Sequence, residues 1–219
     1  MKVKKVLITG GFGYVGSRLT PHLLKQGYRV RVLDLNLYGD SGLNALHSTM
    51  KNEEAARFEF LRGDIRDPEM VSCALRDIDA VIHLAAISND PTGEIDETLT
   101  RQINFDAVGQ LLGLAKLKKV MRFINASSSS VFGIKGEANV TEALEPEPLT
   151  HYSKYKMLSE WLVISSSSED FVTVNIRPAT ICGYSPRQRF DLTVNKLTAD
   201  AVRKRIITVN GGEQRRPNI

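Results

Sequence analysis

Two hydrophobic periods alternate along this chain. Val3–Thr9 is a short β-branched run that stops at glycines, the pattern of a buried strand. Tyr14–Gln26 then carries Val15, Leu19, Leu23 and Leu24 at helical spacing, with Gly27 as its stop. The alternation predicts further strands at Val30–Asp34, Phe58–Arg62, Ala80–Ala85, Arg122–Ala126 and Phe171–Ile176. Helices are predicted over Leu43–Lys51, Pro68–Arg76, Glu97–Leu117 and Tyr152–Ile164, the long one interrupted in composition by Gly109 and Gly113. Strands separated by helices join in parallel through right-handed crossovers. The expected fold is therefore α/β, a doubly wound parallel sheet covered on both faces. Ligands of such sheets bind at the carboxyl ends of the strands, and each motif below falls at one.

Composition removes several alternatives. The 219 residues are 42% hydrophobic with 16 glycines, an ordinary globular balance that excludes disorder, collagen and coiled coil for the whole chain. Cys73 and Cys182 lie far apart without a C-x-x-C, and His22, His47, His83 and His151 are scattered. No metal site and no disulfide framework are expected, and a reducing cytoplasm fits. The apolar stretch after Lys2, Lys4 and Lys5 ends at Gly10-Gly11, too short for a signal peptide, and no membrane segment is expected. Net charge is +4, unevenly spread: residues 187–219 hold eight basic groups against Asp191, Asp200 and Glu213. These bases read either as a solvated face or as a site for phosphates on a small ligand. Aromatic residues do not interleave with them, so nucleic acid is not an expected partner.

The chemistry begins at Gly10-Gly11-Phe12-Gly13-Tyr14-Val15-Gly16, between the first strand and the first helix. Gly10 permits the tight turn, Gly13 lets a pyrophosphate approach the backbone, and Gly16 allows close helix packing. Free N–H groups at the helix start then face phosphate. Asp34, which ends the second strand, is placed to accept both ribose hydroxyls of NAD and to repel the extra phosphate of NADP. Asp64-Ile65 follows the third strand, either at the adenine edge or as an ordinary capping element before Asp67-Pro68. In Tyr152-Ser153-Lys154-Tyr155-Lys156, Tyr152 and Lys156 stand one helical turn apart on one face. An ammonium there is expected to lower the phenol's pKa, so that Tyr152 exchanges a proton with a sugar hydroxyl. Tyr155 has Ser159 rather than a lysine four positions on. Upstream, Ser127–Ser130 follows the fifth strand and offers a hydroxyl to share that proton. The second serine tetrad, Ser165–Ser168, reads as a plain loop.

Taken together, TGGFGYVG, GDIRD, HLAA, SSSSVFG, Y-x-x-x-K and RPATICG resemble the extended short-chain dehydrogenase/reductases, specifically the NAD-dependent nucleotide-sugar epimerases and dehydratases. The resemblance implies a Rossmann fold over residues 1–179 and the start of a smaller substrate lobe over 180–219. It implies a nucleotide-sugar epimerase acting at C4, or alternatively a reductase or dehydrogenase, and a homodimer. A non-catalytic dinucleotide-binding module is the reading from another class, which an intact Ser128, Tyr152 and Lys156 set opposes. Position by position, Gly10, Phe12, Gly13, Tyr14, Val15 and Gly16 surround the pyrophosphate, Asp34 the ribose, and Asp64 and Ile65 the adenine. Leu84, Ala85 and Ala86 line the cofactor, and Asn104 supports the site from the long helix. Ser128 matches the catalytic hydroxyl, Tyr152 the base, and Lys156 the lysine that binds the nicotinamide ribose. Asn195 and Arg216 match positions that hold the diphosphate of the substrate. Ser88 and Thr180 complete the substrate-side set, at positions where UDP-galactose 4-epimerases carry Lys and Asn. Ser129 and Ser130 stand where 4,6-dehydratases carry an Asp-Glu pair, which disfavours dehydration. Relatives of this type continue past Ile219 by roughly 100 residues, so the substrate lobe is expected to be only begun here, a unit too small to bury a core of its own.

Overall fold

The computed structural model describes residues 3–137 and 139–209. Six parallel strands form one sheet in the order β3-β2-β1-β4-β5-β6, with β1 at Lys5–Thr9, β2 at Arg29–Asp34, β3 at Phe58–Arg62, β4 at Ala80–His83, β5 at Arg122–Ala126 and β6 at Val172–Ile176. This is the doubly wound arrangement expected from the sequence. The order reverses between β1 and β4, and at that switch point the loops after the two strands diverge to opposite faces, leaving a crevice.

Period-two patterning in the strands loads both faces. Val6 and Ile8 of β1 pack with Val30, Val32, Phe12, Leu24 and Leu46 on one face, which α1 (Gly16–Lys25) and α2 (Ser41–Thr49) cover. Leu7 turns to the other face, with Leu33, Val71, Leu75, Val81, Leu111, Phe123 and Val163. A single turn, α3 (Asn52–Ala55), precedes β3, and that second face is covered by α4 (Pro68–Ala74), α7 (Ala107–Leu117) and α8 (His151–Ser165). Asp67 starts α4 by accepting from the N–H groups of Glu69 and Met70, with Pro68 in the first turn.

The structure departs from the expectation in three places. The long helix spans the expected Glu97–Leu117 but is not α-helical throughout: α6 (Glu97–Arg101) runs through a π segment at Gln102–Asp106 into α7. Three further helices among the described residues, α3, α5 (Asp90–Gly93) and α9 (Thr193–Lys204), were not foreseen, nor was the 3₁₀ turn at Ser129–Phe132. Cover on both faces also fails at β6. Thr173 and Asn175 bond to α8, whereas Val172, Val174 and Ile176 point away from it and are 37%, 48% and 49% exposed. Among the described residues no helix is long and apolar enough to cross a membrane, and no cluster has metal-ligand geometry.

Candidate active site at the strand ends

The glycine loop lies against the end of β4. Gly10 has φ +75°, and a Cβ on it would sit 2.7 Å from the Ala85 nitrogen; one on Gly16 would collide with the Gly10 carbonyl. Both positions therefore exclude a side chain for reasons of close approach. Leu84 and Ala85 line this contact, the Leu84 N–H donating to the Thr9 carbonyl at 3.0 Å, and Ala86 follows them out of the strand. A Cβ on Gly13 would meet only the Gly10 carbonyl, at 3.3 Å, so its open side faces away from the protein. The N-cap of α1 is Val15, which has no side-chain acceptor, and its first turn carries no acidic residue. That end of the helix dipole suits an anion.

Asp34 is fixed beside this loop. Its Oδ2 accepts from the Phe12 N–H at 2.9 Å and its Oδ1 from the Asn36 N–H at 2.7 Å. A carboxylate has roughly four acceptor sites, so capacity for a diol remains. The residues present thus fit a dinucleotide with an unphosphorylated ribose.

Several expected contacts are placed differently. The ring of Phe12 lies in the core, 4.9 Å from Phe60 and edge-on, so only its backbone borders the loop. The Ile65 side chain is likewise core, 6% exposed, because the end of β3 is packed under α4 and α7. Asp64 is engaged by Arg66, whose guanidinium lies 2.6 Å away and holds the carboxyl below its usual range. Asn195 is buried at 7% exposure with its amide committed to protein: Oδ1 accepts from the Gly183 N–H at 2.9 Å, and Nδ2 donates to Tyr14 Oη and the Arg189 carbonyl, each at 2.9 Å. A diphosphate contact would have to displace one of these bonds. Ser88 accepts from Arg189 at 3.1 Å, and Thr180 is half-buried in the loop after β6. Arg216 lies outside the described residues. The basic tail is partly spent internally, with Arg189 on Asp191 and both Lys196 and Lys204 on Asp200.

The other half of the crevice holds Ser128, Tyr152 and Lys156. Ser128 ends the β5 loop and caps the 3₁₀ turn, its Oγ accepting from the Ser130 N–H at 3.1 Å. Thr150 starts α8 with a reciprocal capping pair to Ser153, which orients the helix so that Tyr152 and Lys156 face the sheet. Both are buried, at 7% and 4% exposure. Tyr155 instead carries its hydroxyl to Glu97, 2.9 Å away. Burial raises the Tyr152 phenol above its ordinary value, hydrogen bonding with Ser128 and the charge of Arg189 oppose the rise, and the Asp90 carboxylate adds to it. Lys156 Nζ donates to the Ala126 carbonyl at 2.8 Å, and burial lowers its pKa to about 8 against the pull of Glu160. The expectation that Lys156 lowers the phenol is therefore corrected: desolvation of the buried phenol outweighs any favourable charge.

Asn104, in the π segment, bonds twice to Ile87, accepting from its N–H and donating to its carbonyl, both at 2.9 Å. It braces the loop after β4. Four groups escaped the sequence reading. Asp90 accepts from Thr150 Oγ1 at 2.5 Å and approaches Ser130 Oγ at 3.5 Å. Arg189 bridges Ser88 and Asp191. Buried Glu160 forms a two-pronged pair with Arg177, which lies 4.6 Å over the Phe132 ring. His83 meets Thr9 Oγ1 through Nδ1 at 2.7 Å, with Nε2 unpartnered among the described residues. The Asn89-Asp90-Pro91 helix start was the one signal available in the sequence for any of them.

Comparison with known proteins gives consistent matches. The profile of the NAD dependent epimerase/dehydratase family matches residues 6–219. A UDP-glucose 4-epimerase of Lactobacillus helveticus is 32% identical over 168 residues, 76% of this chain and 48% of that protein. The UDP-glucuronic acid 4-epimerase of Bacillus cereus, solved with UDP-glucuronic acid and NAD, is 34% identical with a TM-score of 0.78, covering 90% of this chain and 63% of that one. An NAD-dependent NDP-hexosamine 5,6-dehydratase superposes with a TM-score of 0.80 at 25% identity, covering 97% and 66%. The chain spans about half the length of the curated relatives it matches.

Proposed function

The chain belongs to the NAD-dependent epimerase/dehydratase family, and from that premise we propose that it inverts a hydroxyl-bearing carbon of a nucleotide sugar, at C4, through a transient ketone. The observation that carries this reading is the meeting of the glycine loop and Asp34 on one side of the switch point with Ser128, Tyr152 and Lys156 on the other. NAD, when bound, supplies a hydride acceptor that can return the hydride. Tyr152 takes the proton of the sugar hydroxyl and gives it back, and Ser128 holds that hydroxyl against the phenol. Lys156, charged below about pH 8, holds the ribose hydroxyls and offsets charge that develops on the phenol. Asp34 selects the unphosphorylated ribose. The buried walls around Tyr152 exclude water from the ketone.

One observation favours a second reading. The Asp90 carboxylate stands near enough to raise the Tyr152 phenol, and a second proton-transfer group is what elimination of water requires. Incubation with a panel of nucleotide sugars without added NAD, read by NMR, separates the two. An epimer of unchanged mass supports the first reading. Loss of water supports a dehydratase, and oxidation of the sugar only when NAD is added, with NADH formed in equal amount, would replace both with a dehydrogenase.

A further inference from the structure

Tyr14 makes bonds that a pyrophosphate loop does not require. The residue is 8% exposed, and its hydroxyl donates to the Gly183 carbonyl at 2.6 Å while accepting from Asn195 Nδ2 at 2.9 Å. Its backbone carbonyl accepts from Ser185 Oγ at 2.7 Å, and Ser185 is 1% exposed. Both ends of one residue in the glycine loop are thus bonded to a single segment that lies far downstream in the chain. That segment is cross-tied: Asn195 Oδ1 accepts from the Gly183 N–H, and the Gln188 side chain spans the Ser185 N–H and the Gly183 carbonyl at 2.8 and 3.2 Å.

The same segment touches the two neighbouring strand ends. Arg187 lies 3.6 Å over the Tyr38 ring, just past β2, and Arg189 donates to Ser88, just past β4. Residues 183–195 are therefore fastened at the ribose end, the pyrophosphate loop and the β4 end of the crevice. Of the three fastenings, the central one is buried and polar, and breaking it strands groups with no access to water.

We propose that Tyr14 is a positioning residue that latches segment 183–195 across the cofactor crevice, so that NAD leaves only when this latch opens. The proposal rests on the reading of the glycine loop as the NAD site. On this proposal the segment that carries Asn195 and Arg189 also closes the exit over the loop, and the cofactor is held from one turnover to the next.

The test uses the 219-residue chain with Tyr14→Phe, which deletes both bonds of the hydroxyl and keeps the ring, and Ser185→Ala, which deletes the third bond from outside the loop. Hydrogen–deuterium exchange reads the amides of 183–195 without NAD, and displacement kinetics read NAD release. Both variants are expected to exchange faster across 183–195 and to release NAD on the order of tenfold faster, the scale of one net hydrogen bond. Unchanged exchange in both overturns the latch. Faster exchange with unchanged NAD release overturns the coupling. A wild-type chain that binds no NAD overturns the NAD reading and the coupling with it, and exchange then still shows whether 183–195 is latched. Should Tyr14→Phe fail to fold, Ser185→Ala by itself distinguishes these outcomes.

Discussion

Tyr152 and Tyr155 lie three positions apart on α8 and end in different surroundings, one phenol at the strand ends and the other on Glu97. Tyr152→Phe should lower turnover by roughly 10²–10⁴-fold, the usual cost of a lost positioned acid or base, and leave NAD affinity nearly intact by calorimetry. Tyr155→Phe should leave turnover within about twofold and cost about 1 kcal/mol of stability, the net worth of one hydrogen bond; the opposite ranking would reverse the assignment. His83 makes a second residue-level prediction. Burial lowers its pKa from 6.5 to about 3, with Lys156 adding to the shift, so the folded protein refuses a proton that the unfolded chain accepts. Its contribution is whole above about pH 6.5 and is lost as pH falls toward 3. Urea unfolding at pH 7 and 4.5 should show stability falling in the wild type and a shallower fall in His83→Gln. Equal slopes would mean that other groups set the acid limit.

Among elements, the run from α6 to α7 is the most instructive. A π segment adds a residue to one turn and rotates the positions after it, and here it carries Asn104 to the Ile87 backbone while α7 keeps its apolar face on the sheet. Asn104→Ala leaves a part-buried N–H and carbonyl of Ile87 without these partners. It should cost roughly 1–3 kcal/mol for each group left unsatisfied, and it should loosen the loop that follows β4. Denaturant unfolding checks the first effect and exchange of the amides of 84–90 checks the second. A loss below about 0.5 kcal/mol with unaltered exchange would show that water replaces the side chain without penalty.

For the molecule as a whole, the prediction concerns linkage between cofactor and fold. A ligand that binds only the folded chain stabilises it by RT ln(1 + [L]/Kd), about 2.7 kcal/mol at one hundred times Kd. NAD should therefore raise the unfolding temperature in a concentration-dependent way, and NADP should do so less. Asp34→Ala should erase most of that difference by weakening NAD more than NADP, since the diol acceptor is gone. A calorimetric titration in which wild type binds NADP as tightly as NAD would remove Asp34 from its assigned role.

Much of this molecule was legible in local order. Alternating periods and glycine stops are local properties, so strands at Phe58–Arg62 and Arg122–Ala126 match the structure residue for residue and the others differ by one to two positions at their ends. The motifs fell at strand ends because a strand–loop–helix unit puts its connecting residues there by geometry. Other features depended on neighbours distant in the chain. The Phe12 ring went to the core because Phe58 and Phe60 of β3 lie beside it, and Asn195 went to Tyr14 because α9 folds back over the first loop. The protonation balance of Tyr152 and Lys156 likewise follows from burial by α8 and the loop after β4, since desolvation is a property of the whole enclosure and not of the i,i+4 spacing. Spacing along the chain determined which residues could share a face; packing of distant segments decided which of them would meet, and in what electrostatic surroundings.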